Sequence, residues 1–254
     1  MDPEPEQSII DRAIGDVRVA VAFMTRLRVG ASENDLAGAC WAFPVAGLLV
    51  GTAGGAVFAA AFAFGVPPVA AALLALMTTA MLTGALHEDG LADTADGFGG
   101  AEPERRLEIM RDSRIGAYGV LALIFSVGLR TAALAALSEP GIGFVAIVAA
   151  ATLSRGLLPG MMHGLPLASS SGLATAVGRP TKAIATLAAG LGALAAISYL
   201  GFATGVAAVI IAVICIAAVA LLARRLIGGY NGDTLGAAQQ IAETAVLIGI
   251  AAGL

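Results

Sequence analysis

Apolar residues in this chain gather into runs long enough to cross a bilayer, about 20 residues each. They fall near 39–64, 69–86, 118–137, 142–161, 183–200, 203–222 and 235–254. The pattern predicts an all-α, polytopic integral membrane helix bundle of about seven spans, forming a single membrane-embedded domain over residues 1–254. The segment ahead of the first run differs. Across 8–28, Ile9, Ile10, Ala13, Ile14, Val17, Ala20, Val21, Met24 and Leu27 recur at helical spacing, while Asp11, Arg12, Asp16 and Arg18 take the other side. That predicts an amphipathic helix lying along the membrane interface, with a helix packed on the loops as the alternative.

Composition agrees with a membrane protein. The 254 residues are 58% hydrophobic and only 13% charged, against about a quarter charged in soluble domains. Aromatics are scarce and Gly and Ala abundant, which lets helix backbones approach closely. Net charge is small and points to no nucleic-acid partner; a homo-oligomer is left open. Cys40 and Cys215 lie far apart in apolar runs and read as inert thiols. The opening MDPEPEQSII lacks a basic region joined to an apolar stretch, so no cleaved signal peptide is expected. Basic residues give the orientation. Seven spans put Arg12, Arg18, Arg26, Arg28, Arg105, Arg106, Arg111, Arg114, Arg155, Arg179, Lys182, Arg224 and Arg225 on one side, with Arg130 alone inside a span. The expected setting is a bacterial cytoplasmic (inner) membrane, with residues 87–117 forming a cytoplasmic catalytic loop.

That loop opens with His87-Glu88-Asp89-Gly90-Leu91-Ala92-Asp93-Thr94-Ala95-Asp96-Gly97. Asp89, Asp93 and Asp96 stand at i, i+4 and i+7, on one face of a continuing helix. Carboxylates that close raise each other's pKa unless a cation neutralises them, and Mg²⁺ commonly takes one or two carboxylates plus substrate phosphates. Farther on, Arg111 and Arg114 are one helical turn apart, so both forks could address one anion; Asp112 lies between them. A third stretch, Gly228-Gly229-Tyr230-Asn231-Gly232-Asp233-Thr234, makes a tight turn in which Asp233 could cap the next helix. Gln239, Gln240 and Glu243 then enter the last apolar run, where an ionisable group is costly and faces the interior or a polar cavity. Two acidic clusters from separate helices at one surface suit metal-assisted phosphoryl transfer. His87 is a candidate ligand or proton-transfer group, and Arg130 is expected either to snorkel or to pair within the bundle, a buried carboxylate being one such partner.

TGALHEDGLADTADGFGG, ERRLEIMRDSRIGAYGVLAL and GGYNGDTLGAAQQIAE, with the earlier FMTRLRVG and WAFPVAGLLVG, resemble in order the signatures of the cobalamin synthase family, also called adenosylcobinamide-GDP ribazoletransferase or cobalamin-5′-phosphate synthase. Glu88, Arg28 and Asn231 depart from the residues expected there. The resemblance implies a Mg²⁺-dependent membrane transferase late in cobalamin (vitamin B12) biosynthesis. Its small-molecule substrates would be adenosylcobinamide-GDP and α-ribazole, or the ribazole 5′-phosphate, and its products adenosylcobalamin, or its 5′-phosphate, and GMP. On that reading Asp89, Asp93, Asp96, Asp233 and Glu243 are metal candidates, and Asp93 or Asp96 takes the hydroxyl proton. Arg111, Asp112, Arg114, Asn231 and His87 are candidates for phosphate or substrate contact.

Two rivals are set beside it. CDP-alcohol phosphotransferases run similar chemistry, but Asp93 occupies the arginine position of their motif and two downstream aspartates are missing. A transporter of cations or corrinoids would spread polar groups through several spans, often with an internal repeat, whereas charge here concentrates in the loops.

Overall fold

The lengths of the helices are set by residues at their ends. In the computed structural model, which describes residues 9–30, 35–137, 139–168 and 176–253, every predicted span contains a helix. Residues 1–8, Ser138 and Leu254, which enter the expectations above, lie outside the described residues. The order is α1 (Ile9–Met24), a short turn of helix leading into α2 (Phe43–Ala63), α3 (Pro68–Thr83), α4 (Leu86–Phe98), α5 (Pro103–Arg111), α6 (Ala117–Ala136), α7 (Pro140–Gly164), α8 (Lys182–Leu200), α9 (Phe202–Ile227) and α10 (Gly232–Ala251). Proline stands in the first turn of α2, α3, α5 and α7, where its missing N–H has no helical partner to lose.

Six helices are long and apolar enough to span: α2 with its leading turn, α6, α7, α8, α9 and α10. The apolar windows of α7 and α10 are 72% and 61% buried, against at most 44% in the other four, so these two form the inside of the bundle. Glycines let α2 lie directly on α7: a Cβ on Gly47 would stand 2.5 Å from the Ala151 carbonyl oxygen, and one on Gly51 would stand 2.8 Å from Val148 Cα. Outward residues such as Ile124, Phe125, Ile214 and Leu221 are exposed, as a lipid-facing surface requires.

The second predicted span is different. α3 has 16 residues, about 24 Å at 1.5 Å per residue, short of the roughly 30 Å hydrocarbon core. It stops at Gly84 (φ +68°) and Ala85 (φ +58°), both left-handed, and the chain turns 90° into α4. The Arg26 amide donates to the Leu82 carbonyl (2.8 Å), and the Arg26 side chain lies against Gly84 so closely that no Cβ fits there. The acidic stretch is thus a separate helix, and α3 with α4 is a bent pair that makes a seventh span when counted as one. The expected 87–117 loop is largely two helices, α4 and α5.

α1 divides along its length. Ile9 and Ile10 are exposed, whereas Val19, Ala20, Val21 and Met24 pack into the bundle, and Trp41 donates its indole N–H to Asp16 (2.9 Å). The end of the bundle that carries α4 also carries Arg26, Arg28, Arg105, Arg106, Arg111, Arg114, Arg179, Lys182, Arg224 and Arg225; the described opposite connections, 64–67, 139 and 201, hold no Lys or Arg. Arg155 departs from the loop count, since it lies within α7 and is 2% exposed.

Candidate active site

The site is made where α4 crosses α10. Gly90 and Gly236 meet backbone to backbone: a Cβ on Gly90 would lie 2.8 Å from the Asp233 carbonyl oxygen, and one on Gly236 would lie 3.1 Å from that of His87. Only glycine permits this approach, and it carries Asp89 and Asp233 to the same cavity. The start of α10 is fixed by a capping box. Thr234 N–H donates to Asn231 Oδ1 (2.9 Å), and Asn231 N–H donates to Thr234 Oγ1 (3.0 Å). Asn231, not Asp233, is therefore the cap; its Nδ2 donates to Asp233 Oδ2 (2.8 Å) and orients that carboxylate. Two strand-like hydrogen bonds, Tyr230 N–H to the Pro166 carbonyl (2.9 Å) and Ala168 N–H to the Tyr230 carbonyl (2.8 Å), tie the preceding loop to the exit of α7.

The cavity is about 320 Å³. His87, Asp89, Arg111, Asn231 and Asp233 contribute its polar side; the rest is apolar, with contributions from α1, α2, α5 and α7. Asp93 sits one turn after Asp89. Its carboxyl is pushed up to about 7, first by burial and then by the charges of Asp89, Asp233 and Asp96. The charges of Asp89, Asp233 and Asp96 therefore all reach Asp93. His87 is buried, and burial followed by the nearby Arg155 and Arg130 charges lowers its pKa well below the usual imidazole value. It is a neutral wall of the cavity, and its Nδ1 has no hydrogen-bond partner among the described residues.

Asp96 is used differently. Its two oxygens accept the N–H groups of Gly116 (2.7 Å) and Gly119 (2.9 Å), the otherwise orphaned donors at the start of α6. It borders an outer groove with Arg105, Asp112 and Arg114 rather than the cavity. Arg111 and Arg114 do not share a helical face, because α5 ends at Arg111 and Asp112 is extended (φ −76°, ψ 122°). Arg111 lines the cavity. Arg114 turns outward onto Asp112 (2.6 Å) and, by hydrogen bonding, holds that carboxyl down to about 2.

Glu243 stands among arginines rather than among the aspartates. Its Oε1 meets Arg130 Nη1 (3.2 Å) and its Oε2 meets Arg155 Nη1 (3.2 Å). Arg130 also reaches Glu88 (3.6 Å), which accepts from Gln240 Nε2 (3.1 Å). Gln239 donates to Ser154 (3.0 Å) and to Glu243, and Ser126 donates to Gln240 Oε1 (3.3 Å). Arg130 thus finds a buried carboxylate, one of the partners expected for it, and Glu88, the departure from the family pattern, is a second partner. Sequence reasoning missed Arg155, Ser126 and Ser154. The signal for Arg155 was available: a guanidinium well inside an apolar run calls for an acid on a neighbouring helix.

Among the described residues no three His, Cys, Asp or Glu side chains close around a point as a ready metal cage. The donor set nevertheless suits Mg²⁺, because Asp89, Asp93 and Asp233 supply oxygen only, they crowd one another electrostatically, and such sites are completed by substrate phosphates.

Comparison with known proteins bears on this geometry. Residues 16–251 match a family model described as cobalamin-5-phosphate synthase. A Bradyrhizobium diazoefficiens protein named adenosylcobinamide-GDP ribazoletransferase is 46% identical over 253 residues, covering 98% of this chain and 97% of the relative. Proteins of the same name from Azorhizobium caulinodans (46%, covering 94% and 96%) and Brucella canis (40%, covering 95% and 98%) are also similar. No solved structure matches the chain.

Proposed function

The chain belongs to the cobalamin-5-phosphate synthase family, and from that premise we propose a Mg²⁺-dependent transferase that joins adenosylcobinamide-GDP to α-ribazole or its 5′-phosphate. The products are adenosylcobalamin, or its 5′-phosphate, and GMP. One observation carries the assignment: the Gly90–Gly236 contact sets Asp89 of α4 and Asp233 of α10 on one cavity, with Asp93 in their field. Acids this close raise one another's pKa and fit a site for a cation that arrives with a pyrophosphate.

In the reaction a ribose hydroxyl oxygen forms a bond to the phosphorus attached to the cobinamide arm. The bond from that phosphorus to the bridging oxygen breaks, and GMP departs with the bridging oxygen. Bound Mg²⁺, held by Asp89, Asp233 and Asp93, would supply neutralisation of the pyrophosphate charge. Asp93, one turn after Asp89, is the side chain suited to accept the hydroxyl proton through an oxygen not engaged with the metal. Arg111, on the same cavity, is placed to meet the departing phosphate. Asp96 acts as a positioning residue through the start of α6. The basic residues gathered at this end of the bundle support a cytoplasmic active site in a bacterial inner membrane.

The test is GMP release. Membranes holding the wild-type chain, given both substrates and Mg²⁺, should release one GMP per cobamide formed. Flux of corrinoid or cation into proteoliposomes, with no GMP, would return the assignment to a transporter.

A further inference from the structure

The two sides of the cavity ask for different chemistry, and the two substrates differ in the same way. Away from its acidic edge the cavity is walled by Phe23, Met24, Phe43, Leu158, Met162 and Val177. Phe23 and Phe43 lie nearly parallel, 9° apart with centroids at 5.9 Å. Phe43, Met24, Leu158, Met162 and Val177 are each at most 3% exposed. These side chains offer no hydrogen-bond donor and only thioether acceptors, which are weak. Guanine carries donors and acceptors along its edges, and burying them against such a wall leaves them unmet. The base of α-ribazole is a flat bicycle with two methyl groups on its outer edge and one free ring nitrogen, so it suits that wall. A corrinoid with its side chains is far larger than a cavity of about 320 Å³, and its pyrophosphate belongs at the acidic edge with the cation.

Resting on the transferase reading above, we propose that the apolar half of this cavity binds the aromatic base of the nucleoside substrate, ribose toward Asp89 and Asp233, and that Leu158, Met162 and Val177 select which base is accepted. The wall shape then acts as the gauge of the lower ligand. Methionine and leucine make an adaptable surface, which favours apolar bicyclic bases over purines carrying polar edges.

Leu158→Trp fills the space, and Leu158→Ala enlarges it. Leu158→Trp should raise KM for α-ribazole about tenfold or more, the scale on which apolar pockets discriminate, and leave KM for adenosylcobinamide-GDP within about twofold. Leu158→Ala should shift relative kcat/KM about tenfold toward the riboside of a wider apolar bicycle such as naphthimidazole. Calorimetry on the purified wild-type chain in detergent, with α-ribazole and with GMP as separate probes, reads occupancy without turnover. It should show α-ribazole binding that Leu158→Trp weakens and GMP binding that it does not. The proposal is overturned by a rise in KM for adenosylcobinamide-GDP instead, by weakened GMP binding, or by both variants unfolding like wild type with neither KM moved. Failure of the transferase reading looks different: the wild-type chain releases no GMP at all.

Discussion

The same two helices, α4 and α10, carry acids into two regions that treat charge in opposite ways. Glu88 and Glu243 enter the bundle, where Arg130 and Arg155 face them, and Gln239 and Gln240 donate to oxygens that those arginines also approach, Glu243 Oε2 and Glu88 Oε1. Asp89 and Asp233 line the cavity, Asp93 lies one turn after Asp89, and the charges that raise Asp93 and Asp233 are those of other aspartates. Glu88 and Asp89 are adjacent in sequence yet fall on opposite sides of this division. The bundle pairs its buried glutamates with arginines of neighbouring helices, and on the proposed function the acids at the cavity are paired by a bound cation.

The sharpest way to break that comparison is to remove charge at the cavity. Asp89→Asn and Asp233→Asn should each lower the rate of GMP release by about a hundredfold or more, with the chain still inserted and folded. Chelating divalent ions should do the same to the wild-type chain, and added Mg²⁺ should restore it. Wild-type turnover in either variant would mean that the acidic edge is as structural as the interior.

The buried network should fail in the other currency, stability. Glu243→Leu leaves Arg155 without its carboxylate and Arg130 with Glu88 alone, a change expected to cost about 3–5 kcal/mol. The unfolding midpoint in detergent measures it. Glu243→Leu combined with Arg155→Leu should recover a good part, because the guanidinium left unpaired by the first change is itself replaced by an apolar group. If the double variant is no more stable than the single, the pair is not coupled as its 3.2 Å contact indicates.

Asp96 tests which region a third kind of acid belongs to. Its oxygens are satisfied by the Gly116 and Gly119 amides, as at a helix cap. Asp96→Ala should cost about 1 kcal/mol, and Asp96→Asn, which keeps an acceptor, less. GMP release by Asp96→Asn should fall by less than about tenfold, well short of the Asp89→Asn loss. A loss equal to that of Asp89→Asn would move Asp96 into the metal-holding set.

Much of this was legible in the chain. Apolar runs gave the spans, and the i, i+4, i+7 aspartates gave an acidic helix, because both signals are local and periodic. The meeting of Asp89 with Asp233 was expected from topology. The 90° bend was not, since an apolar run ending in Gly84-Ala85-Leu86 does not say that Ala85 takes a left-handed conformation. Arg155 was counted with the loops although it lies well inside an apolar run, and only the crossing of α7 with α10 shows that it faces Glu243. Arg111 and Arg114 were separated by the end of α5 at Arg111, where local spacing alone predicts a continuing helix.

The smallest expected effect lies at the bend that feeds both regions. Ala85 is the single non-glycine residue with positive φ (+58°) among the described residues, a conformation that costs an L-residue roughly 1–2 kcal/mol. Glycine adopts it without that strain but loses more backbone entropy on folding. Ala85→Gly should therefore stabilise the protein by about 0.5–1 kcal/mol, read as a rise in the unfolding midpoint. It touches neither the arginine network nor the cavity wall, so the rise should come without loss of the Glu88–Arg130 pairing. That pairing is checked by making Arg130→Met alone and in the Ala85→Gly background, where the two stability changes should add if the bend is set locally. Destabilisation by Ala85→Gly would mean that the alanine methyl contributes more by packing at the turn than its backbone strain costs, and that the bend is held by its neighbours rather than by its own conformation.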